Sequence, residues 1–265
     1  MTSKLYPKKA AIRLFVPDDL FEGSKLTLEE GQAHYVTNVM RQKKGALVEL
    51  FNGRDGSWQA QLNEVSSKSV ALECRIRTAL QKKSPDVWLL FAPVKRARLD
   101  FMAQKATELG VSKIWPVDTN YCQMGRVKTD RLEANAIEAA EQTVRLDVPA
   151  IGAFVKLNTV LSSWPQDRVL IFCDEGLAGD VPFAPVERLA TVSGRKAAIL
   201  IGPEGGFSPS ERKLVLSQSS VLPIHLGPRI LRADTAALSA LSLYQAVCGD
   251  WQSNNPALSS TDDQK

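Results

Sequence analysis

The chain has 265 residues, enough for one large domain or two smaller ones, each with its own core. A hydrophobic content of 44% and a charged content of 23% are ordinary for a soluble globular protein, and a net charge of +4 is compatible with a polyanionic partner without demanding one. Only two histidines accompany four cysteines that show no CxxC spacing, which excludes a zinc-finger ligand set. No metal is expected, and Cys74, Cys122, Cys173 and Cys248 read as free thiols of a reducing compartment. No stretch has the apolar core of a signal peptide or the length to span a bilayer, so the reading is a cytoplasmic protein with no membrane partner.

In chain order, residues 1–80 read as β-rich. Residues 12–16 form a short strand candidate stopped by Pro17. Residues 31–41 carry a helical segment with Val36, Val39 and Met40 on one side. Strands at 46–51 and 57–65 flank Asn52, Gly53 and Gly56, residue types that supply the positive φ a hairpin loop needs. Further on, Val70, Leu72, Cys74 and Ile76 alternate with Ala71, Glu73, Arg75 and Arg77, a period of two that marks a strand with one wet face. Several short strands and one helix predict a small β-barrel domain over 1–80. Residues 81–85, polar and ending in Pro85, read as a linker. Beyond it, uninterrupted apolar runs at 87–93, 111–117, 169–173, 197–201 and 221–226 alternate with helix-period segments at 101–109, 130–146 and 234–247. Apolar strands without alternation are buried on both faces, so residues 85–252 read as an α/β domain with a parallel sheet covered by helices. Residues 253–265 are polar and aperiodic and are expected to be disordered.

Two loops carry the chemical signal. The first, Ile201-Gly-Pro-Glu-Gly-Gly-Phe-Ser-Pro-Ser-Glu211, leaves a buried strand and enters a helix. Ser208, Pro209 and Glu211 fall at the N-cap, first and third positions of a capping box. Gly202, Gly205 and Gly206 let the backbone approach a ligand closely, at the carboxyl end of a strand where open α/β sheets bind. Glycines also serve bare turns, and on the glycines alone both readings stay open. The loop fits neither the dinucleotide fingerprint nor the P-loop pattern, which disfavours those ligands. The second loop, Leu226-Gly-Pro-Arg-Ile-Leu-Arg-Ala-Asp-Thr-Ala236, follows the last strand and places Asp234 as an N-cap candidate. Ile230 and Leu231 offer an apolar wall for a flat ring, and Arg229 and Arg232 flank them as site groups or as plain surface charge.

Together the two loops closely resemble those of the SPOUT-class RNA methyltransferases and, within that class, the 16S ribosomal RNA uridine-N3 methyltransferase (RsmE) family. Lys105-Ala-Thr-Glu-Leu-Gly110 with Ile114-Trp-Pro116, Ala140-Glu-Gln-Thr-Val-Arg145 with Pro149, and His34-Tyr-Val-Thr-Asn-Val-Met-Arg41 with Gly45 are similar to three further segments of the family. The similarity runs from about Arg13 to Tyr244. Asp234 and Met40 depart from the pattern, where family members commonly carry Glu and Leu.

The resemblance implies a PUA-like β-barrel followed by an α/β domain whose last segment threads a trefoil knot. It implies that S-adenosylmethionine (SAM) is held bent in the knotted loops of a homodimer, and that N3 of a uridine in 16S rRNA of the small ribosomal subunit is methylated. On this basis Gly202, Glu204, Gly205 and Gly206 line one side of SAM, and Leu226, Gly227, Ile230 and Leu231 the other. Arg232 and Arg145 are candidates to stabilise the uracilate; a guanidinium stays protonated and cannot be the base. Asp234, Glu141 or a water takes the proton, with a plain helix cap as the competing reading of Asp234 and a solvated helix face as that of Glu141. Arg13, Arg41, Lys43, Lys44, Lys95, Arg96 and Arg98 are the candidate phosphate contacts, and His34 reads as structural. Rival readings are a SPOUT enzyme acting on a ribose 2′-hydroxyl or another base, a non-enzymatic RNA-binding adaptor, and a small-molecule α/β enzyme.

Overall fold

The computed structural model describes residues 12–66, 69–93, 96–177 and 184–252, and the side chains of all of these except Arg96 and Ala97. The expected disordered tail at 253–265 and the candidate Lys95 lie outside the described residues, as does the side chain of Arg96. The chain divides into two compact units, Met1–Lys83 with Ala140–Val148, and Ser84–Ala139 with Pro149–Lys265.

In the first unit, β1 (Arg13–Phe15), β2 (Lys25–Thr27), β3 (Leu47–Phe51), β4 (Ser57–Val65) and β5 (Val70–Ala79) form one mixed sheet in the order β1-β3-β4-β5-β2, with the β1–β3 pair parallel. Its core is a single apolar cluster that includes Leu14, Val48, Leu50, Leu62 and Leu72. The β3–β4 hairpin turns as its residues demand: Gly53 and Gly56 take φ of 81° and 85°, and the Asn52 side-chain oxygen accepts from the Arg54 and Asp55 amides at 2.9 Å.

Two periodicity expectations fail for local reasons. The helix α1 (Glu30–His34) runs on into a π-helical turn, Tyr35–Val39, in which the Met40 amide donates to the Tyr35 carbonyl five residues back. Val36 stays buried, but the wider turn leaves Val39 58% exposed rather than packed. In β5, Gln59 opposes Ile76 while Ala60 opposes Cys74, so Arg75 is the extra residue of a bulge. The alternation flips there, and Ile76 is 50% exposed.

The second unit holds β6 (Val87–Phe91), β7 (Lys113–Asp118), β8 (Ala150–Ile151), β9 (Val155–Lys156), β10 (Arg168–Cys173), β11 (Lys196–Ile201) and β12 (Val221–Ile224). Every pairing is parallel, in the order β12-β10-β11-β6-β7-β8, with β9 also on β7. Leu89, Leu90, Leu170, Ile171, Ile199 and Leu200 are fully buried, as continuous apolar strands require; each such side chain contributes about 1.5–3 kcal/mol. The helices are α2 (Arg96–Glu108), α3 (Thr129–Gln142), α4 (Leu157–Ser162), α5 (Pro185–Ala190), α6 (Pro209–Leu216) and α7 (Ala233–Val247). At the amino end of the sheet Arg168 pairs with both carboxylate oxygens of Asp86 at 2.9 Å and lies 3.6 Å from the Trp88 ring centroid.

The last turn of α3 and the residues after it belong to the first unit, which nothing in their sequence announced. Helix α3 stops at Gln142 instead of reaching 146 because Arg13 takes its final carbonyls. The guanidinium donates to the oxygens of Ala140 (3.1 Å), Glu141 (3.2 Å) and Arg145 (2.8 Å) and lies over the Phe51 ring. Val144 follows at φ 62°. Arg13 is therefore an internal cation, not the phosphate contact expected of it.

Candidate functional site

Three neighbouring strands, β12, β10 and β11, end side by side, and the bends leaving their carboxyl ends enclose a cavity of about 280 Å³. Two of the bends are the loops singled out in the sequence. From the first, Gly202, Pro203, Gly206 and Phe207 line the cavity; from the second, Leu226, Gly227, Arg229, Ile230 and Leu231 do. The third bend, Cys173-Asp174-Glu175-Gly176, was not foreseen. Its only local signal was a pair of carboxylates closing an apolar strand, and the neighbours that give them meaning are distant in sequence.

The first bend is built around absent side chains. A Cβ at Gly202 would lie 2.7 Å from the Phe207 ring, which stacks edge-on against Phe172 at 5.2 Å between centroids. Gly206 has φ 68°, and a Cβ there would lie 2.5 Å from Oε1 of Glu175. Gly227 on the second bend has φ 99° with nothing within 4 Å of a Cβ, so its requirement is conformational alone. The first bend is held from below by the expected capping box: Ser208 Oγ accepts from the Glu211 amide at 3.3 Å, and Glu211 Oε2 accepts from the Ser208 amide at 3.0 Å. Asn120, in the loop after β7, adds its own amide to Glu211 (2.7 Å) and its side chain to Ser208 (2.7 Å).

Two of the charged residues in the cavity wall, Asp174 and Arg212, are paired with each other. Asp174, 4% exposed, accepts from Arg212 Nε at 2.9 Å and from the Gly176 amide at 3.1 Å. This pairing raises the Arg212 pKa above its ordinary value, through the hydrogen bond first and the charge of Asp174 second. Burial pushes the Cys173 thiol, also in the wall, up to about 12. The wall is thus largely apolar and shaped by glycine bends, and a cavity of this kind fits a nucleoside-bearing cofactor such as SAM.

The other expected residues are distributed differently. Glu204 and Gly205 do not line the cavity. Glu204 pairs with Arg98 at 2.9 Å, and Arg98 Nε also lies 3.8 Å from Asp234, so one guanidinium ties the two sequence-predicted loops together. Arg98, 36% exposed, thus meets two carboxylates of its own unit. Asp234 is not the N-cap of α7: Arg232 is, with ψ 152°, and Asp234 sits in the first turn with Oδ1 accepting from the Thr235 amide at 2.9 Å. Arg232 is exposed beside the cavity rather than in its wall. Glu141 and Arg145 belong to the first unit, where Glu141 Oε1 accepts from the Phe15 amide at 3.0 Å and Arg145, 8% exposed, pairs with Asp147 at 2.9 Å. Arg41, Lys43 and Lys44 are exposed on the loop before β3.

Known proteins share both units. Residues 81–245, more than half of the chain, match an RNA methyltransferase domain, and residues 28–73 match an RNA methyltransferase PUA domain. The ribosomal RNA small subunit methyltransferase E of Rickettsia conorii is 31% identical over 231 residues, spanning 87% of this chain and 93% of the relative. The structure of a ribosomal RNA small subunit methyltransferase E from Neisseria gonorrhoeae bound to S-adenosyl methionine superposes with a TM-score of 0.79 at 26% identity, covering 91% of this chain and 99% of that one. A Legionella pneumophila protein solved with the bound cofactor SAM gives the same TM-score at 30% identity, covering 92% and 100%. A PUA domain, an RNA methyltransferase domain with glycine bends at its strand ends, and a relative matched along nearly its whole length make this chain a member of the ribosomal RNA small subunit methyltransferase E family.

Proposed function

We propose that the protein methylates N3 of a uridine in 16S rRNA, taking the methyl group from SAM held by the three bends. The convergence of the glycine bends on one cavity carries this reading, together with the SAM-bound relatives. When bound, SAM supplies an electrophilic methyl group on a sulfonium. Gly202 and Gly206 let Phe207 and Glu175 pack against the first bend, Gly227 supplies the positive φ of the second, and Ile230 and Leu231 cover the cofactor's ring. Holding both reactants in line makes a bimolecular step effectively unimolecular, the largest contribution positioning can make. Arg232, beside the cavity mouth, stabilises the uracil anion as N3 loses its proton, and Asp234 is the carboxylate we assign to receive that proton. Glu141 and Arg145, already occupied by Phe15 and Asp147, are assigned to holding the Ala140–Val148 segment rather than to chemistry.

N3 lies on the Watson–Crick edge, so the target uridine is unpaired or flipped out. The first unit supplies affinity for the RNA through Arg41, Lys43 and Lys44. We further propose a trefoil knot in the second unit, a homodimer that completes the site, and a cytoplasmic location beside the small ribosomal subunit. The test is transcript mapping in a strain lacking the gene: one reverse-transcription stop in 16S rRNA disappears and returns on complementation. An unchanged stop pattern with a lost 2′-O-methyl group would favour a ribose target instead.

A further inference from the structure

The carboxylate of Glu175 lines the cavity and has no role in the reading above. Its Oε1 lies 2.5 Å from where a Cβ of Gly206 would be, so the absence of a side chain at Gly206 makes room for a charge from the neighbouring bend. Among the described residues Glu175 has neither an ion-pair nor a hydrogen-bond partner, whereas the adjacent Asp174 is matched by Arg212 and Glu204 by Arg98. Arg229, the remaining cation in the wall, forms no ion pair with it. Glu175 is exposed on the cavity wall, so its charge is hydrated until a ligand covers it, and a cation carried by that ligand replaces the lost hydration.

We propose that Glu175 is the counter-ion of the cofactor's sulfonium, and so the residue by which the site tells SAM from its demethylated product. This rests on the SAM-binding reading. Methyl transfer turns the sulfonium into a neutral thioether: the carbon–sulfur bond breaks, the bond to N3 forms, and the N3 proton leaves to the base. S-adenosylhomocysteine keeps the adenosine and the amino-acid end but has lost the charge that Glu175 meets. The grip weakens at the moment the product must leave.

The experiment is calorimetric titration of the full chain with SAM and, separately, with S-adenosylhomocysteine. Glu175→Gln keeps the shape and removes the charge; it weakens SAM by about fivefold and leaves S-adenosylhomocysteine within about twofold. Glu175→Asp restores part of the SAM affinity. In the unmodified protein, added salt lowers the affinity for SAM more than that for the product, a measurement that needs no variant to fold. Equal weakening of both ligands by Glu175→Gln, or no weakening of either, overturns the assignment while leaving SAM binding intact. Failure of the unmodified protein to bind either ligand overturns the functional reading and this one together.

Discussion

Gly206 and Gly227 both have positive φ, yet their surroundings separate them. At Gly227 a methyl group meets open space, and the penalty is the left-handed backbone, about 1–2 kcal/mol. At Gly206 the same backbone penalty is joined by a collision with the Glu175 carboxylate, which has to leave its place in the wall. Gly206→Ala is therefore expected to weaken SAM binding by up to about fivefold more than Gly227→Ala, the same factor as loss of the Glu175 charge. Calorimetry checks this, and equal losses in the two variants would show that the carboxylate position does not matter. The glycine pattern in the sequence marked both positions, but only the fold distinguishes a glycine needed for its φ from one needed for its emptiness.

At the scale of elements, the site stands on contacts that lock loops to helix ends. The capping box of Ser208 and Glu211 was legible because all its partners lie within four residues, and Asn120 was not, because its partners are 88 and 91 residues away. Arg13 shows the same limit more sharply. It reads as one more surface cation, but its guanidinium closes the end of α3 from 127 residues away. Arg13→Met removes the donor to three carbonyl oxygens and the cation 3.8 Å from the Glu49 carboxylate, and is expected to lower stability by about 2–4 kcal/mol. Denaturant unfolding measures this. The same variant, assayed where it remains folded, keeps the salt dependence of RNA binding unchanged, since a buried cation releases no counterions. A reduced slope would return Arg13 to the phosphate contacts.

For the molecule as a whole, charge and protons make two predictions. Arg41, Lys43 and Lys44 stand exposed together, and each alanine substitution is expected to reduce the slope of log affinity against log salt for single-stranded RNA by about 0.7. Unchanged slopes would remove this loop from the RNA surface. Burial raises the Cys173 thiol and the Tyr244 phenol to about 12 each, above their ordinary values of 9.0 and 10.0. The unfolded chain releases these protons first, so their contribution to stability is fully present below pH 9 and is lost as pH rises towards 12. Thermal unfolding followed from pH 8 to pH 11 is expected to show a falling midpoint, with a shallower fall in Cys173→Ala. A flat profile would contradict the burial of both groups.

By itself the sequence determined what is local or repetitive: the hairpin at Asn52, the capping box at Ser208, the five apolar strands, and two of the bends that line the cavity. Each follows from a residue's own backbone preference or from a run of like residues, and neither depends on a distant partner. The bulge at Arg75 and the π-helical turn at Tyr35 broke the expected periods, because the alternation and the 3.6-residue repeat both assume regular backbone. Only the tertiary structure decided that β10 lies between β12 and β11, which brings Asp174 and Glu175 to the cavity and lets Arg98 join Glu204 to Asp234. A charged side chain takes its meaning from the charge it meets, and which charges meet is settled by strand order, which no local pattern encodes.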